Sequence, residues 1–355
     1  MKILIAGAGP TGLTTGVELV RRGIQVEIID KRDGGSTLSR AVGINPQSLE
    51  ILKPSGVTDK LLAQGVRFNS IRIFRDNRPW VALPLTAAPI RHGFNFMLGL
   101  PQDKTEAILR ETFLAGGGTL TYGKELVGVR NEANEVVVET TEGDELSCDY
   151  LVGADGVRSA TREAVGIQSI GHALPGVWSI ADVDIEGWEI CDAAAFSLMS
   201  HGRMAGIVPL GGNRFRLVSN TENVLSVLPF DVNVTLVRRE AQFNIRLSQV
   251  KEYSKGRVYL AGDAAHSQSP AGGRGMNLGI VDGADLASRL AGGDLSDYSR
   301  VRFEEGKRLI AGAERMRLVM TSRNPILRGL VLAGMKAVAM VPLLQRRVAS
   351  TFLYG

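Results

Sequence analysis

The first thirty residues constrain the fold more than any other part of the chain. A short apolar run, Lys2–Ala6, is followed by the glycine-rich turn Gly7–Gly12. A segment with helical spacing, Leu13–Arg22, then leads to a second run, Gln25–Asp30. Two such runs joined by one helix predict a right-handed β-α-β unit with parallel strands. The sequence therefore indicates an α/β domain built on a parallel sheet.

The turn in this unit reads Gly-Ala-Gly-Pro-Thr-Gly and opens the helix. Gly7 permits the sharp bend, Gly9 lets a pyrophosphate approach the backbone, and Gly12 lets helix and strand pack closely. A helix N-terminus adds free N–H groups and a partial positive charge. Asp30, at the end of the second run, would accept hydrogen bonds from a ribose hydroxyl. The motif predicts a bound dinucleotide without specifying which one.

Two later loops place an aspartate after an apolar run. In the first, Gly153–Ser159, the aspartate is Asp155; on its own, its Asp-Gly pair is typical of an ordinary turn. The second, Gly262–Asn277, contains Asp263 and further glycines before another helix. Ligands of open α/β sheets bind outside the carboxyl ends of the strands, where we expect Asp263 to lie.

Together the three loops resemble the fingerprints of the para-hydroxybenzoate-hydroxylase-like, single-component FAD-dependent aromatic hydroxylases. The resemblance covers nearly the whole chain and is weakest over Gly187–Gln249. It implies an α/β fold: a Rossmann-like FAD-binding domain of the glutathione-reductase type, an inserted mixed β-sheet substrate domain and a helical C-terminus. The expected division is 1–70, 98–175 and 251–295 for the FAD-binding domain, 71–97 and 176–250 for the substrate domain, and 296–355 for the helical segment.

The resemblance also implies roles for individual residues around FAD. The opening turn and Asp30 would hold the ADP part, and Asp263 would bind the ribityl hydroxyls. Pro270 and the helix that starts near Gly273–Asn277 would lie against the isoalloxazine ring. A helix N-terminus suits that position, because reduced flavin carries negative charge near its N1–C2=O edge.

Four more positions match family residues near the cofactor. Asp155 is linked to both FAD and NAD(P)H, and Arg40 matches an arginine that contacts the cofactor. Gln102 would lie near the pyrophosphate and ribityl chain, and the backbone of Leu126 near the adenine. The full predicted cofactor set is Gly7, Gly9, Pro10, Thr11, Gly12, Asp30, Lys31, Arg40, Gln102, Leu126, Asp155, Gly262, Asp263, Pro270, Gly273, Gly275, Met276 and Asn277. Residues that differ from those frequent in the family are Arg274, Gly283 and Asp285.

The activity that the resemblance implies is monooxygenation. NAD(P)H would reduce FAD, and a flavin C4a-hydroperoxide formed with O₂ would hydroxylate a phenol or polycyclic aromatic. Only one GxGxxG is present, so NAD(P)H would bind without a Rossmann domain of its own. No catalytic side chain is predicted. Three alternatives stay open: a flavin oxidase or reductase acting on a lipid-like or isoprenoid substrate, a non-catalytic flavin-binding protein, and a nicotinamide-only dehydrogenase.

Composition narrows the partners. The 41 basic and 37 acidic residues give a net charge of +4, and the densest basic cluster, Arg315 to Arg347, is interleaved with apolar residues, so nucleic-acid binding is not expected. The four histidines lack metal-ligand spacing, so no metal site is predicted. Cys148 and Cys191 form no CxxC and are expected to be buried small hydrophobes. The N-terminus lacks signal-peptide features, so a cytoplasmic location is expected.

Some residues invite a functional interpretation but have a simpler structural one. His266 is interpreted as a hydrogen-bonded structural histidine. The apolar stretch from Ile326 to Leu344 is expected to dock on the core as helices; because arginines and a lysine accompany it, weak membrane contact is the alternative. The oligomeric state is left open. Core packing, with some members lining a substrate cavity, is expected for Trp178, Phe196, Met199, Met204 and Phe215.

Overall fold

The computed structural model describes residues 1–36, 41–270 and 272–354. The strands in these residues are β1 (Lys2–Ala6), β2 (Gln25–Asp30), β3 (Gly43–Ile44), β4 (Val66–Phe68), β5 (Ser70–Arg75), β6 (Arg78–Pro84), β7 (Met97–Gly99), β8 (Thr119–Tyr122), β9 (Leu126–Asn131), β10 (Val136–Thr140), β11 (Glu145–Cys148), β12 (Tyr150–Gly153), β13 (Ser169–Ala173), β14 (Trp178–Glu186), β15 (Ala193–Leu198), β16 (Met204–Gly211), β17 (Arg214–Ser219), β18 (Asn233–Phe243), β19 (Arg246–Val250), β20 (Ser254–Lys255), β21 (Val258–Leu260) and β22 (His266–Ser267).

The α-helices in the same residues are α1 (Pro10–Val20), α2 (Pro46–Leu52), α3 (Val57–Gln64), α4 (Gln102–Ala115), α5 (Ala160–Ala164), α6 (Gly275–Leu290), α7 (Tyr298–Met320), α8 (Pro325–Met340) and α9 (Pro342–Tyr354). Short 3₁₀ turns occur at Lys53–Ser55, Leu85–Ala87, Ser200–Gly202, Leu225–Val227 and Gly262–Ala264.

The larger α/β layer is a six-stranded sheet in the order β20-β21-β12-β1-β2-β8. Five of its strands are parallel, and β20 is an antiparallel edge. The central strand β1 is buried on both faces, as expected for a parallel strand covered by helices. Helix α1 connects β1 to β2, and both strands have the predicted bounds. The predicted parallel sheet is confirmed.

Glycines allow α1 and α6 to pack closely beside this sheet. A Cβ atom at Gly279 of α6 would lie 2.2 Å from Oγ1 of Thr11, and one at Gly283 would lie 2.6 Å from Oγ1 of Thr15. Such distances are far below van der Waals contact, so a side chain at either position would force the threonine side chain, or α1 itself, to move. A Cβ atom at Gly283 would also lie 2.8 Å from the backbone carbonyl oxygen of Thr11, so this glycine suits the close helix crossing.

The second large sheet has seven strands in the order β18-β14-β17-β16-β15-β5-β6. All neighbouring pairs are antiparallel except β5 with β15. One face, with Trp178 and Met204, packs against α8 and α9. The opposite face packs Phe215 against Phe74 and Phe230. The predicted core residues are thus divided between two faces of one mixed sheet.

Two expectations from the sequence are wrong. The apolar pattern from Leu146 to Gly153 predicts a single strand, but the structure has two strands there, β11 and β12, which are separated at Asp149 and belong to different sheets. The carboxylate of Asp149 accepts a 2.6 Å hydrogen bond from the backbone N–H of Lys2, and this contact turns the chain toward β1. Cys191 is exposed in the loop between β14 and β15, whereas Cys148 is buried as expected.

A small sheet, β13-β19-β22, joins segments that the predicted domain division separates. Strand β13 lies in the predicted FAD-binding domain, and its antiparallel partner β19 lies in the predicted substrate domain. The division at 175/176 and 250/251 stays a prediction. This sheet links the chain after the seven-stranded sheet to β22, which precedes α6 and the second glycine-rich turn of the predicted site.

The C-terminal helices lie against the seven-stranded sheet. The Asn324 side chain caps α8 by accepting a 2.9 Å hydrogen bond from the N–H of Ile326, and Pro325 occupies the first turn. The indole of Trp80 on β6 donates to the Leu332 carbonyl at 2.9 Å. At the end of α9, the hydroxyl of Tyr354 donates to the Phe94 carbonyl at 2.7 Å. One side of α8 and α9 is therefore fixed to the core.

Candidate dinucleotide site

Four neighbouring parallel strands deliver the predicted site to one edge of the sheet. The opening turn follows β1, Asp30 ends β2, Asp155 follows β12, and Asp263 follows β21. Because these strands are adjacent and parallel, their carboxyl ends meet at the same edge. Segments far apart in sequence are thereby brought together by strand order alone.

The three glycines of the opening turn have different structural requirements. Gly7 has a φ of 108°, and a Cβ atom there would lie 2.3 Å from the Ala154 carbonyl oxygen. A Cβ atom at Gly12 would lie 1.9 Å from the carbonyl oxygen of Gly7. At Gly9, by contrast, a Cβ atom would meet no heavy atom within 4 Å. Gly7 and Gly12 are needed by the protein itself, whereas Gly9 borders open space.

Helix α1 begins at that open space. Gly9 is its N-cap, has extended backbone angles and offers no side-chain cap, and Pro10 follows at the first helical position. The first intrahelical bond runs from the Leu13 N–H to the Gly9 carbonyl at 2.9 Å. The earlier N–H groups lack intrahelical acceptors, and the first turn has no acidic residue. This end of α1 is suited to an anion such as pyrophosphate.

Asp30 is held by protein groups. Its Oδ2 atom accepts a 2.7 Å hydrogen bond from the Ala8 N–H, and its Oδ1 atom accepts from the backbone N–H and Nε of Arg32, both at 2.9 Å. Burial alone would raise the pKa of Asp30, but the bonds from Arg32 and Ala8 outweigh it and lower the pKa. Asp30 therefore remains a carboxylate that fixes the opening turn to the end of β2.

Sequence reasoning missed the basic and acidic residues behind Asp30. The guanidinium of Arg32 also donates to the Ala8 carbonyl at 2.9 Å and lies 3.3 Å from a Glu106 oxygen. Gln102 donates to Glu106 at 2.8 Å, and its own oxygen accepts from the Ala41 N–H at 3.1 Å. Burial raises the pKa of Glu106. The spacing of four between Gln102 and Glu106 on α4 was the available signal.

Asp155 stabilises the turn before α5. Its Oδ2 atom accepts from both the N–H and the hydroxyl of Thr161, each at 2.9 Å. Its Oδ1 atom is buried and has no hydrogen-bond partner among the described residues. Burial raises the pKa of this carboxyl. One oxygen thus has a structural role, and the other is a buried acceptor that the described residues leave without a hydrogen bond.

The second glycine-rich turn lies beside the first. Gly262 has a φ of 62°, and a Cβ atom there would lie 2.3 Å from Oγ1 of Thr11. Asp263 and Pro270 are exposed, and Gly275 begins α6. The first turn of α6 contains no acidic residue. A second helix N-terminus with the same electrostatic character as that of α1 therefore faces this region.

Asn277, in the first turn of α6, uses its whole side chain within the protein. Its oxygen accepts from the Asn45 N–H at 2.8 Å and from the Ser48 hydroxyl at 2.9 Å. Its amide donates to the carbonyls of Gly43 and Gly273, both at 2.9 Å. The side chain of Asn277 therefore positions the helix, and a contact between this residue and a cofactor, which stays a prediction, would involve its backbone atoms.

His266 belongs to a buried ionic network below the turn. Its Nε2 atom lies 2.6 Å from Oδ2 of Asp282, which also accepts from the Gly262 N–H at 2.9 Å. The other Asp282 oxygen accepts from Nε of Arg302 at 2.8 Å. Burial opposes ionisation, but His266 and Arg302 outweigh it and lower the pKa of Asp282 to about 2. The interpretation of His266 as a structural residue agrees with this geometry, and Asp282 and Arg302 were missed.

The remaining predicted residues lie around these elements. Lys31 pairs with Glu125 at 3.0 Å on the surface, and Leu126 and Met276 are buried. Arg40 lies outside the described residues. Two residues that were expected to differ from those frequent in the family have local partners: Arg274 donates to the Thr351 carbonyl of α9 at 2.6 Å, and Asp285 pairs with Arg289 at 3.0 Å.

The site as built fits FAD. Two helix N-termini without acidic residues and the open space at Gly9 suit a pyrophosphate and an electron-rich ring. The unpartnered Oδ1 of Asp155 and the exposed Asp263 supply acceptors for hydroxyl groups. The fold and site define a flavin-dinucleotide-binding protein with an attached mixed β-sheet.

Sequence comparison agrees with this class. The family described as FAD binding domain matches residues 1–293. The chain is 30% identical over 381 residues to 6-methylpretetramide 4-monooxygenase of Streptomyces rimosus, covering all of this chain and 68% of the relative. Rifampicin monooxygenase of Rhodococcus hoagii is 32% identical over 310 residues, covering 81% of this chain and 63% of the relative. The chain belongs to the FAD-dependent aromatic hydroxylase family, and its cofactor is FAD.

Structural comparison gives the same fold. The structure of p-nitrophenol 4-monooxygenase from Pseudomonas putida DLL-E4 superposes with a TM-score of 0.90 at 20% identity, covering 99% of this chain and 96% of that one. The predicted fold class is confirmed. The chain spans only about two thirds of the two curated relatives, so their activities are not transferred directly.

Proposed function

We propose that the protein is a cytoplasmic FAD-dependent monooxygenase that uses NAD(P)H and O₂ to hydroxylate an aromatic small molecule. The supporting observation is the juxtaposition of a flavin site with an apolar sheet face. Bound FAD would supply the redox chemistry, in which two electrons pass from NAD(P)H to O₂, one oxygen atom enters the substrate and the other leaves as water. Everything else required of the protein is binding, orientation and exclusion of water.

The two helix N-termini would divide the cofactor between them. The N–H groups after Gly9 would bind the pyrophosphate, and those at Gly275 and Met276 would stabilise negative charge on the reduced ring. The ribityl hydroxyls would be bound by Asp263. The side-chain bonds of Asn277 hold the start of α6 to β3 and α2, so that this electrostatic environment is fixed before the cofactor binds.

The substrate would occupy the space between α6 and the apolar face of the seven-stranded sheet. The cluster on that face includes Met97 of β7 and the half-buried Phe196 of β15. The Met97 methyl group reaches Gly43, whose carbonyl is bound by Asn277 at the start of α6. This apolar surface therefore extends to the position proposed for the flavin ring. An apolar wall suits an aromatic substrate and keeps water from the reacting atoms.

The test is a screen of phenols and polycyclic aromatics with the purified, FAD-loaded protein. We expect substrate-stimulated oxidation of NADH or NADPH and a product that is heavier by one oxygen atom. When ¹⁸O₂ is supplied, the added oxygen should carry the label. Oxidation of the coenzyme with unlabelled product would support a reductase or oxidase instead. A yellow protein that oxidises neither coenzyme with any compound would support non-catalytic flavin binding.

A further inference from the structure

Helix α8 presents apolar side chains to solvent where a docked helix normally presents polar ones. Its inward side is fixed by Leu332, which is only 3% exposed. The outward positions recur every three or four residues, as expected for one face of a helix. Ile326 is 74% exposed, Leu330 65% and Met340 71%. The exposed alanines at this spacing are Ala333 and Ala337.

The apolar face continues onto α9, which follows α8 across a bend of 110°. Leu343 there is 74% exposed. We call the whole set the C-terminal apolar surface: Ile326, Leu327, Leu330, Met340, Val341, Leu343, Leu344 and Val348. Contiguous exposed apolar residues of this number mark an interaction site in a soluble domain.

The charges within the chain segment that carries this surface have one sign, although Arg328 pairs with Asp76 at 3.7 Å and Arg317 with Glu314 at 2.5 Å. Residues 315–354 contain seven basic and no acidic residues, although the whole chain has a net charge of only +4. The basic residues are Arg315, Arg317, Arg323, Arg328, Lys336, Arg346 and Arg347. Arg323 precedes α8, and Arg346 and Arg347 lie in the second turn of α9; all three are exposed. The apolar surface is thus flanked at both ends by cations.

We propose that the C-terminal apolar surface docks on an anionic lipid bilayer, with α8 lying in the interfacial plane. Apolar side chains would enter the headgroup boundary while the flanking arginines contact lipid phosphates. A second copy of the chain is a poorer partner, because two such surfaces face to face would bring their arginines together.

The geometry favours lying on the bilayer over crossing it. Among the described residues no single helix is both long and apolar enough to span a membrane; only α8 and α9 taken together pass that test, by length and composition. Helix α8 has 16 residues, a length of about 24 Å against a hydrocarbon core of about 30 Å. The proposal is independent of the chemistry at the flavin site.

The experiment is co-sedimentation of the full FAD-loaded chain with vesicles. Phosphatidylcholine vesicles with about 30% phosphatidylglycerol are compared with phosphatidylcholine alone, at about 50 mM and 500 mM salt. We expect binding to the anionic vesicles that weakens at high salt. The double variant Arg346→Gln/Arg347→Gln should bind about 25-fold more weakly, at about fivefold per charge. Leu330→Ser/Met340→Ser should weaken binding at least about tenfold.

A matched control removes exposed apolar side chains elsewhere. Val127 and Ile170 are each 54% exposed on β9 and β13, so Val127→Ser/Ile170→Ser should leave vesicle binding unchanged. Thermal unfolding of every variant checks that the fold is intact. The proposal is overturned if anionic vesicles bind no more protein than neutral ones. It is also overturned if the wild type fails to bind vesicles and instead self-associates with rising concentration in sedimentation analysis.

Discussion

Replacing two glycines of the opening turn by alanine should have different effects: Gly9→Ala should weaken cofactor binding, and Gly12→Ala should weaken the fold. In Gly9→Ala the new methyl group enters open space, because no heavy atom lies within 4 Å, and the φ of −81° suits alanine. In Gly12→Ala the methyl group would lie 1.9 Å from the Gly7 carbonyl oxygen, a backbone atom that no rotamer change can move. Gly9→Ala therefore tests the cofactor site, and Gly12→Ala tests the fold.

The magnitudes follow from these contacts. For Gly9→Ala, we expect the free energy of unfolding of the apoprotein to change by less than about 1 kcal/mol, since a lost cap preference and a less flexible unfolded chain nearly cancel. Its affinity for FAD should fall about 10- to 100-fold, the loss of one charge-assisted phosphate bond worth about 1.5–3 kcal/mol. Gly12→Ala should lower the free energy of unfolding by about 2 kcal/mol or more.

The assay combines urea unfolding of the apoprotein with fluorescence titration of FAD. Gly334→Ala is the matched control, because this glycine lies in α8, which packs on the seven-stranded sheet, with no heavy atom within 4 Å of its added methyl group. It should retain wild-type FAD affinity and gain up to about 1 kcal/mol of stability from helix propensity. The reasoning is refuted if Gly9→Ala binds FAD as tightly as the wild type, or if it unfolds as readily as Gly12→Ala.

Three further predictions concern the packing and chemistry around the site. Asp282 has a pKa of about 2 in the folded protein, against an ordinary value of 3.8. Its ionised form therefore contributes about 2 kcal/mol to the free energy of unfolding above pH 4, and this contribution is lost as the pH falls from 4 toward 2. Asp282→Asn should remove this dependence of the unfolding free energy on pH, as measured by urea unfolding. It should also lower stability by about 3–5 kcal/mol at pH 7, because the Arg302 guanidinium would be buried without its carboxylate. An unchanged pH dependence would contradict the assignment. Gly279→Ala should lower the melting temperature, because the added methyl group would lie 2.2 Å from a threonine hydroxyl of α1, and the loss should shrink when that threonine is replaced by alanine. Burial raises the pKa of Cys148 to about 11, whereas Cys191 is exposed. A thiol reagent near pH 8 should therefore label one equivalent per chain, at Cys191, and Cys191→Ser should abolish labelling. Rapid labelling of two thiols would refute this prediction.

Patterns within a few residues were sufficient to predict those parts of the fold that depend on neighbouring residues alone. The continuous apolar runs Lys2–Ala6 and Gln25–Asp30, with the glycine turn between them, predicted both strands at their observed bounds. Burial on both faces of a parallel strand leaves this signature in the sequence itself. The order of the three glycine-rich loops was enough to identify the family, and hence the cofactor.

Contacts between distant segments could not be predicted in this way. The strand break at Asp149 depends on a bond to the backbone of Lys2, and the turning of the Asn277 side chain toward Asn45 depends on how α6 meets α2. Neither partner is near in sequence, so no local spacing encodes the bond. The contact between Arg32 and Asp30 joins residues two apart in sequence, but the contact between Arg32 and Glu106 forms only when α4 is packed beside them.

The sequence by itself determined the β-α-β unit, the flavin-binding class and which loops would form the site. Those features come from short-range backbone requirements: glycine where a Cβ would collide, and apolar runs where a strand is covered on both faces. Only the tertiary structure decided which predicted residues keep atoms available to a cofactor, and which face of α8 remains exposed. Burial and hydrogen-bond partners are properties of packed surfaces, and those surfaces exist only after the two sheets and the C-terminal helices have come together.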